Sequence, residues 1–252
     1  MSLVNEGAGR PLLLINGLGA TGDLFDDFRL HLTDRETVAF DAPGVGGSPA
    51  AHWPWRIPWY ANVMADMIAE LGHEQMDVLG ISWGGALAQE LAHRHPERVR
   101  RLVLVATTPG VISVPGTPQA ISILMTPWRY YSKSYLKAVA PTLYGGAIKD
   151  HPELLARHGQ VRATRPPTPM GYLWQMNALR RWTSLPYLWR VKMPVLVLAG
   201  DDDPIIPAAN ARLMARLLPQ AQLHIVKGGG HLFLFTRDEE MAERITAFLD
   251  KD

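Results

Sequence analysis

A serine flanked by glycines is the residue whose setting most clearly indicates chemistry. The string Gly80-Ile81-Ser82-Trp83-Gly84 follows a short apolar run and precedes an amphipathic stretch. Between a strand and a helix, this pattern is typical of a nucleophile elbow, a strained turn whose glycines let the backbone pass closely. The start of the following helix also favours negative charge developing beside the serine. The competing interpretation is a tight turn in which Ser82 only caps the helix.

A serine hydroxyl needs a base to become a nucleophile, and the base needs an acid to orient it. His231 lies in a loop after the last apolar run and follows three glycines, so its imidazole can be aimed at Ser82. We therefore predict that His231 is the base. The other histidines after Ser82 fall in predicted helix, strand or insertion segments, where structural roles are expected: His93, His95, His151, His158 and His224.

The orienting acid is expected after the fifth predicted strand, where three aspartates follow one another. Asp203 is preferred because it directly precedes Pro204 and the start of the next helix, while Asp201 and Asp202 suit turn or helix-capping roles. The other usual position for the acid, after the fourth strand, holds no carboxylate. A metal site built from the three aspartates is disfavoured because no histidine cluster or second acidic motif accompanies them.

Ester cleavage also requires hydrogen-bond donors for the oxyanion that forms in the tetrahedral intermediate. The backbone amide of Trp83, which directly follows the serine, is the first predicted donor. The loop after the first predicted strand, Asn16-Gly17-Leu18-Gly19, supplies the second, and we assign it to the amide of Leu18. Ser82, His231, Asp203 and these two amides together predict two-step ester hydrolysis without a metal or cofactor.

These residues belong to a repeating pattern of short apolar runs and helical stretches. The continuous runs without alternation indicate strands buried on both faces, as in a parallel sheet. We predict a doubly wound, mostly parallel α/β sheet, with the chemical residues at the carboxyl ends of its strands. The predicted strands are residues 12–15, 37–40, 76–79, 102–106, 195–199 and 223–226, and the predicted helices are 64–71, 86–95, 208–218 and 239–249.

Residues 109–190, here called the cap, interrupt this alternation and contain no clear strand. An 82-residue loop without structure is improbable, so we predict a helical cap inserted between core residues 1–108 and 191–252. The alternative is a second domain unrelated to the site. An apolar acyl pocket, or equally the ordinary core of the cap, accounts for several large side chains in or near it: Met125, Trp128, Tyr130, Tyr144, Trp174 and Phe233.

Charge and composition exclude several classes of function. Net charge is +1 over 252 residues, which gives no whole-chain indication of nucleic-acid binding. There is no cysteine, so disulfides, cysteine-ligated metals and thiol nucleophiles are excluded. Neither a transmembrane run nor a signal peptide is recognisable, and we expect a cytoplasmic location. The cap carries ten Lys and Arg against two acids, which suits either an anionic granule surface or a solvated face.

The motifs resemble those of the α/β-hydrolase superfamily over nearly the whole chain. Within it, several strings are similar to intracellular medium-chain-length polyhydroxyalkanoate depolymerases. Three of these strings lie inside the cap, the region expected to recognise the substrate. This resemblance implies a polyester of 3-hydroxyalkanoic acids, or its oligomers, as the substrate. The strings are residues 40–48 (FDAPGVGGS), 82–89 (SWGGALAQ), 114–116 (VPG), 143–146 (LYGG), 171–175 (GYLWQ), 199–204 (AGDDDP) and 231–234 (HLFL).

Two departures from the superfamily pattern and two other functions accompany this interpretation. Only ten residues precede Pro11, so the antiparallel strand pair that opens the fold is expected to be shortened, and Asn16 stands where many relatives have histidine. A small-molecule carboxylesterase, lactonase or carbon–carbon bond hydrolase would use the same triad. A non-catalytic binding member of the fold is disfavoured, since such members usually lose a triad residue. The oligomeric state is not indicated.

Overall fold

A seven-stranded sheet forms the centre of the molecule in the computed structural model, which describes residues 3–151, 153–155 and 164–251. The strand order is β1-β3-β2-β4-β5-β6-β7, and β2 to β7 are parallel. The predicted α/β fold class and all six predicted strands are confirmed. The strands are β1 (Leu3–Glu6), β2 (Leu12–Ile15), β3 (Thr37–Phe40), β4 (Met76–Ile81), β5 (Val99–Val105), β6 (Val195–Gly200) and β7 (Ala221–Val226).

The first strand was not predicted. It pairs antiparallel with β3, with Leu3 opposite Phe40 and Glu6 opposite Thr37. Its sequence has only two consecutive apolar residues, Leu3 and Val4, followed by Asn5 and Glu6, so it lacks the continuous apolar run that predicts the other strands. The antiparallel opening of the sheet is therefore a single short strand at the edge, beside β3.

Helices cover both faces of the sheet, as buried parallel strands require. One apolar layer lies between the sheet and α2, α3 and α8, and a second lies between the sheet and α1 and α10. No helix within the described ranges is both long enough and apolar enough to span a membrane. The four predicted helices correspond to α2 (Ile57–Glu70), α3 (Trp83–Arg94), α8 (Ala208–Leu217) and α10 (Asp238–Leu249); α1 (Asp26–Arg29) and α9 (Phe233–Thr236) are short additions.

Residues 109–190 are helical wherever they form a regular element within the described part of the chain. The helices are α4 (Pro118–Leu124), α5 (Trp128–Tyr131), α6 (Lys133–Tyr144) and α7 (Pro169–Ala178). They contact the loops at the carboxyl ends of the strands: the amide of Thr168 donates to the carbonyl of Gly44 at 2.7 Å. Three residues used in the sequence analysis lie outside the described residues. They are Arg157 and Arg162, which were counted among the basic residues of the cap, and His158, which was considered among the histidines after Ser82.

Candidate active site

Ser82 occupies the turn between the end of β4 and the start of α3. Its backbone dihedrals are φ 53° and ψ −115°, in a region that a residue with a side chain rarely adopts. Hydrogen bonds to the neighbouring strand and loop hold this turn: the amide of Ser82 donates to the carbonyl of Val105 at 2.9 Å, and the hydroxyl of Thr107 donates to the carbonyl of Ser82 at 2.7 Å. The side chain is thereby presented at the carboxyl edge of the sheet.

The two glycines of the elbow are required by close backbone approach. A Cβ atom on Gly84 would lie 2.2 Å from the carbonyl oxygen of Ile15, at the end of β2. A Cβ atom on Gly80 would lie 2.5 Å from the carbonyl oxygen of Gly84. Both distances are far below van der Waals contact, so α3 can start directly behind Ser82 only if these positions lack side chains.

Ser82, His231 and Asp203 form one continuous chain of hydrogen bonds. The Oγ of Ser82 lies 3.1 Å from Nε2 of His231, and Nδ1 of His231 lies 2.7 Å from Oδ2 of Asp203. The other carboxylate oxygen of Asp203 accepts the amides of Ile205 and Ile206 at 2.8 and 2.9 Å. Asp203 and His231 are each 7% exposed, so the chain is shielded from bulk water except at its serine end.

The two preceding aspartates point elsewhere and tie loops together. Asp201 accepts the amide of Gly228 at 2.6 Å, in the loop that leads to His231. Asp202 accepts the amide of Gly146 at 2.8 Å and forms an ion pair with Lys149 at 2.6 Å, which holds the pKa of Asp202 below its usual range. Within the described residues, no three His, Cys, Asp or Glu side chains are grouped as metal ligands would be.

The loop after β2 passes directly beside Ser82. A Cβ atom on Gly17 would lie 3.5 Å from the Cβ of Ser82, which is ordinary contact distance. Asn16 shapes this loop, because its side chain accepts the amide of Gly17 at 2.8 Å and donates to the carbonyl of Thr21 at 2.6 Å. Leu18 and Trp83, the predicted oxyanion donors, both line the cavity into which Ser82 opens. Sequence reasoning named Asn16 but missed this structural role.

A cavity of about 290 Å³ opens above Ser82 and His231 and is lined mainly by apolar side chains. Three of the six predicted substrate-contacting residues line it, namely Met125, Tyr130 and Tyr144. Apolar residues that the sequence analysis did not select make up much of the remaining wall. They include Leu124, Met176, Leu179, Ile205, Ile206 and Leu232.

The other three predicted substrate-contacting residues do not line this cavity. Trp128 is 61% exposed on the surface of α5. The indole of Trp174 donates to the carbonyl of Ala51 at 3.3 Å. Phe233 is 1% exposed and packs in the apolar layer on the α1 and α10 face of the sheet. Aromatic character alone does not determine whether a side chain faces a cavity, the solvent or the core.

A buried arginine at the cavity wall was missed as a site residue. Arg129 is 4% exposed, and its guanidinium lies over the rings of Tyr130 and Tyr172, at 4.6 and 5.2 Å from their centroids. Burial lowers the pKa of Arg129, but the phenols of Tyr130, Tyr144 and Tyr172 outweigh it and leave that pKa raised. The aromatic neighbours in the sequence were the available signal, since arginine stacks on aromatic rings.

Known proteins resemble this chain over almost its full length. A family model described as alpha/beta hydrolase fold matches residues 10–238. A poly(3-hydroxyalkanoate) depolymerase from Ectopseudomonas oleovorans is 46% identical over 243 residues, covering 96% of this chain and 85% of the relative. A pimeloyl-[acyl-carrier protein] methyl ester esterase from Chromobacterium violaceum is 26% identical, over 97% and 96% of the two chains.

A solved structure shows the same fold at lower sequence identity. The crystal structure of a hydrolase from Pseudomonas aeruginosa PA01 has a TM-score of 0.83 and 22% identity, and the match covers 99% of this chain and 94% of that one. At this identity, the likeness concerns the fold alone. Taken with the family match over most of the sequence, it shows that the chain belongs to the alpha/beta hydrolase fold family.

Proposed function

We propose that this protein hydrolyses carboxylic esters with Ser82 as nucleophile, His231 as general base and acid, and Asp203 as the orienting carboxylate. The observation that carries the proposal is the unbroken hydrogen-bond chain from Asp203 through His231 to Ser82, which ends in an apolar cavity. Such a chain activates a serine hydroxyl for acyl transfer. The ester-cleaving relatives named above support the same reaction class.

The first half of the reaction forms an acyl-enzyme. Nε2 of His231 takes the proton of Ser82 as Oγ attacks the ester carbonyl, and the carbonyl π electrons move onto oxygen. The amides of Leu18 and Trp83 hold this oxyanion. When the tetrahedral intermediate collapses, the bond to the ester oxygen breaks and His231 gives its proton to the leaving alcohol. Asp203 stabilises the imidazolium and fixes its orientation in between.

The second half releases the acid and restores the enzyme. A water molecule loses a proton to His231 and attacks the acyl carbonyl, which again places negative charge in the oxyanion site. Collapse of the second intermediate breaks the bond to Ser82, whose oxygen recovers its proton from His231. One water is consumed, and one acid and one alcohol are formed.

We propose a medium-chain poly(3-hydroxyalkanoate), or an oligomer of it, as the substrate. The similarity to the Ectopseudomonas oleovorans depolymerase extends through the cap, and the apolar lining of the cavity supports the same choice. The alkyl chain of a 3-hydroxyalkanoyl repeat unit would lie against the apolar wall of the cavity.

A small-molecule esterase or lactonase is the second candidate, because the same cavity would also hold a whole small ester. Hydrolysis rates across p-nitrophenyl esters from acetyl to dodecanoyl, together with a 3-hydroxyoctanoate oligomer, separate the two. We expect a maximum at medium chain length and cleavage of the oligomer. Activity confined to short esters would show that the substrate is a small molecule and not a polymer. Cleavage of a carbon–carbon bond in diketones, in place of these esters, would show that the enzyme is a carbon–carbon bond hydrolase.

The mouth of the cavity is the proposed contact with the polyester surface. Val114, Ile121 and Met125 line the cavity and yet are 46, 39 and 58% exposed. Ile112 and Trp128, which lie close to them in the chain, are 63 and 61% exposed. An apolar rim suits a water-insoluble substrate. Binding to isolated polyester granules should persist at high salt and weaken in Trp128→Ser. Binding that disappears at high salt would instead indicate that the basic residues of the cap make the contact.

A further inference from the structure

The peptide unit that follows Leu18 is held at both of its polar atoms by the cap. The carbonyl oxygen of Leu18 accepts the hydroxyl of Tyr130 at 2.5 Å and Nη2 of Arg129 at 3.3 Å. The amide of Gly19, which belongs to the same planar unit, donates to Oε1 of Gln175 at 2.6 Å. Contacts from α5 and α7 of the cap therefore hold this plane, in addition to the turn that the amide of Ala20 closes on the carbonyl of Gly17 at 3.1 Å.

We propose that Arg129, Tyr130 and Gln175 are positioning residues for the oxyanion site, which they maintain by clamping the Leu18–Gly19 peptide. The inference rests on the proposed ester hydrolysis, in which the amide of Leu18 is an oxyanion donor. Rotation of the clamped plane changes the backbone angle at Leu18 and moves its amide. Because an oxyanion donor acts only at hydrogen-bond distance from the developing charge, a small rotation weakens its contribution.

Gln175 contacts both segments of the chain that carry the predicted donors. Its side chain holds the amide of Gly19, and its backbone carbonyl accepts the indole Nε1 of Trp83 at 2.8 Å. Gln175 is almost completely buried, so both hydrogen bonds are shielded from water. One residue of the cap thus contacts both strand-end loops from which the oxyanion donors come.

The close approach of the cap to this loop depends on a glycine. Gly19 has φ +72°, and a Cβ atom there would lie 2.9 Å from the ring of Tyr130 and 3.0 Å from the ring of Tyr172. A side chain at this position would push the two tyrosines away from the loop. Because Gly19 has no side chain, the Tyr130 hydroxyl and the Arg129 guanidinium can reach the carbonyl of Leu18.

Arg129 also brings a positive charge to the back of the loop. Among the described residues, no carboxylate lies within ion-pair distance of it, and its Nη1 donates to the hydroxyl of Tyr172 at 2.6 Å. A buried cation without an acidic partner produces a favourable potential for negative charge nearby. The oxyanion is negative only in the tetrahedral states, so this potential acts on the reaction rather than on substrate binding.

Tyr130→Phe removes one clamp hydrogen bond and has a matched control in the next residue. The hydroxyl of Tyr131 donates to the carbonyl of Pro167 within the cap, away from the loop. We expect Tyr130→Phe to lower kcat about 10-fold while KM stays within about twofold, and Tyr131→Phe to leave both unchanged. The Ki of an octyl trifluoromethyl ketone, which forms a tetrahedral adduct on the serine, should rise by the same factor as kcat/KM falls.

Three further variants separate clamping from charge and from general stability. Gln175→Met removes the acceptor for Gly19 and should reproduce the kcat loss, whereas Arg129→Lys should retain more activity than Arg129→Met because it keeps the charge. A lower Tm with unchanged kcat and unchanged Ki in Tyr130→Phe and Gln175→Met would overturn the inference and leave a structural role only. Wild-type protein that hydrolyses no ester would contradict the proposed function itself, and the inference with it.

Discussion

The two ends of β4 carry buried polar residues that are used in opposite ways. Near the amino end, Asp77 is fully buried and accepts Nη2 of Arg100 at 2.6 Å and Nη1 of Arg35 at 3.1 Å. Burial raises the pKa of Asp77, and the two arginines oppose this shift. At the carboxyl end, Ser82 is joined to His231 on one side and opens into a cavity on the other.

The two ends differ in whether the protein itself supplies all the partners of the buried polar group. The carboxylate at the amino end is paired with two guanidiniums, and Arg100 also donates to the carbonyl of Leu249 at 2.7 Å, which ties the sheet to the end of α10. The serine at the carboxyl end keeps one side free for a substrate. Closed polar clusters hold the fold together, and open ones are available for chemistry.

Asp203→Asn should have the largest effect among substitutions of the groups that support Ser82. An amide cannot stabilise the imidazolium or hold the required tautomer, so we expect kcat to fall about 10⁴-fold with little change in Tm. Asp202→Asn is the matched control, because its carboxylate binds Lys149 and Gly146 rather than His231. Steady-state kinetics on p-nitrophenyl octanoate measure both. Equal losses in the two variants would contradict the assignment of Asp203.

Asp77→Ala, at the amino end of β4, should lower the stability of the protein and leave its kcat unchanged. It leaves Arg35, which is 4% exposed, without its buried partner, and we expect a loss of about 3–5 kcal/mol in the free energy of unfolding. The kcat of the folded protein should be unchanged. Urea denaturation gives the stability, with Asp66→Ala on the exposed side of α2 as the control. If the variant does not fold, Arg100→Met provides a milder test, and a lower kcat in it would show that the ion-pair cluster at the amino end of β4 also affects the catalytic site.

Gly84→Ala should lower both the stability and the kcat, because α3 contacts β2 directly behind the serine. The new Cβ would displace the carbonyl of Ile15, and we expect a loss of about 1–3 kcal/mol in stability together with a kcat about 10-fold lower. Gly72→Ala is the control: its Cβ meets nothing within 4 Å, and only its φ of +84° is unfavourable. An active, unstable Gly84→Ala would show that elbow packing does not set the serine geometry.

The smallest expected effect concerns Glu90, which joins α3 to the end of the cap. Burial raises its pKa, but hydrogen bonds from Tyr187, Trp182 and Arg94 outweigh this and leave the pKa below the usual 4.5. The ionised form is therefore stabilised by folding, and this contribution is present above pH 4.5 and lost as the pH falls through the lower native value.

Stability should accordingly fall less steeply between neutral and acidic pH in Glu90→Gln than in the wild type. Urea denaturation at a series of pH values measures this, and Glu70→Gln at the exposed end of α2 is the control. Parallel curves for Glu90→Gln and the wild type would show that these hydrogen bonds do not favour the ionised form.

The carboxyl edge of the sheet was predictable because each residue there follows a buried strand in a fixed chain order. Ser82, Asp203 and His231 were selected in this way, and the structure brings them into one hydrogen-bond chain. The cap was less predictable. Trp128 and Tyr130 are two residues apart on a four-residue helix, and one is exposed while the other is buried, because positions two apart on a helix face different directions.

Positioning contacts in the cap were missed because they join segments far apart in the chain. Gln175 reaches Gly19 across 156 residues, and no local pattern of apolar residues records such a contact. The short strand β1 was missed for a different reason, since its sequence, Leu3-Val4-Asn5-Glu6, has no continuous apolar run like those of β2 and β3. Sequence reasoning therefore succeeds where a motif sets local geometry and fails where tertiary packing decides.

The most direct test of the account is Ser82→Ala, assayed on p-nitrophenyl octanoate and treated with a fluorophosphonate that labels activated serines. We predict a kcat at least about 10⁴-fold below the wild type, an unchanged Tm, and a single phosphonate adduct on wild-type protein that Ser82→Ala does not form. Equal rates in the two proteins, or an adduct on a residue other than Ser82, would contradict the nucleophile and the mechanism built on it.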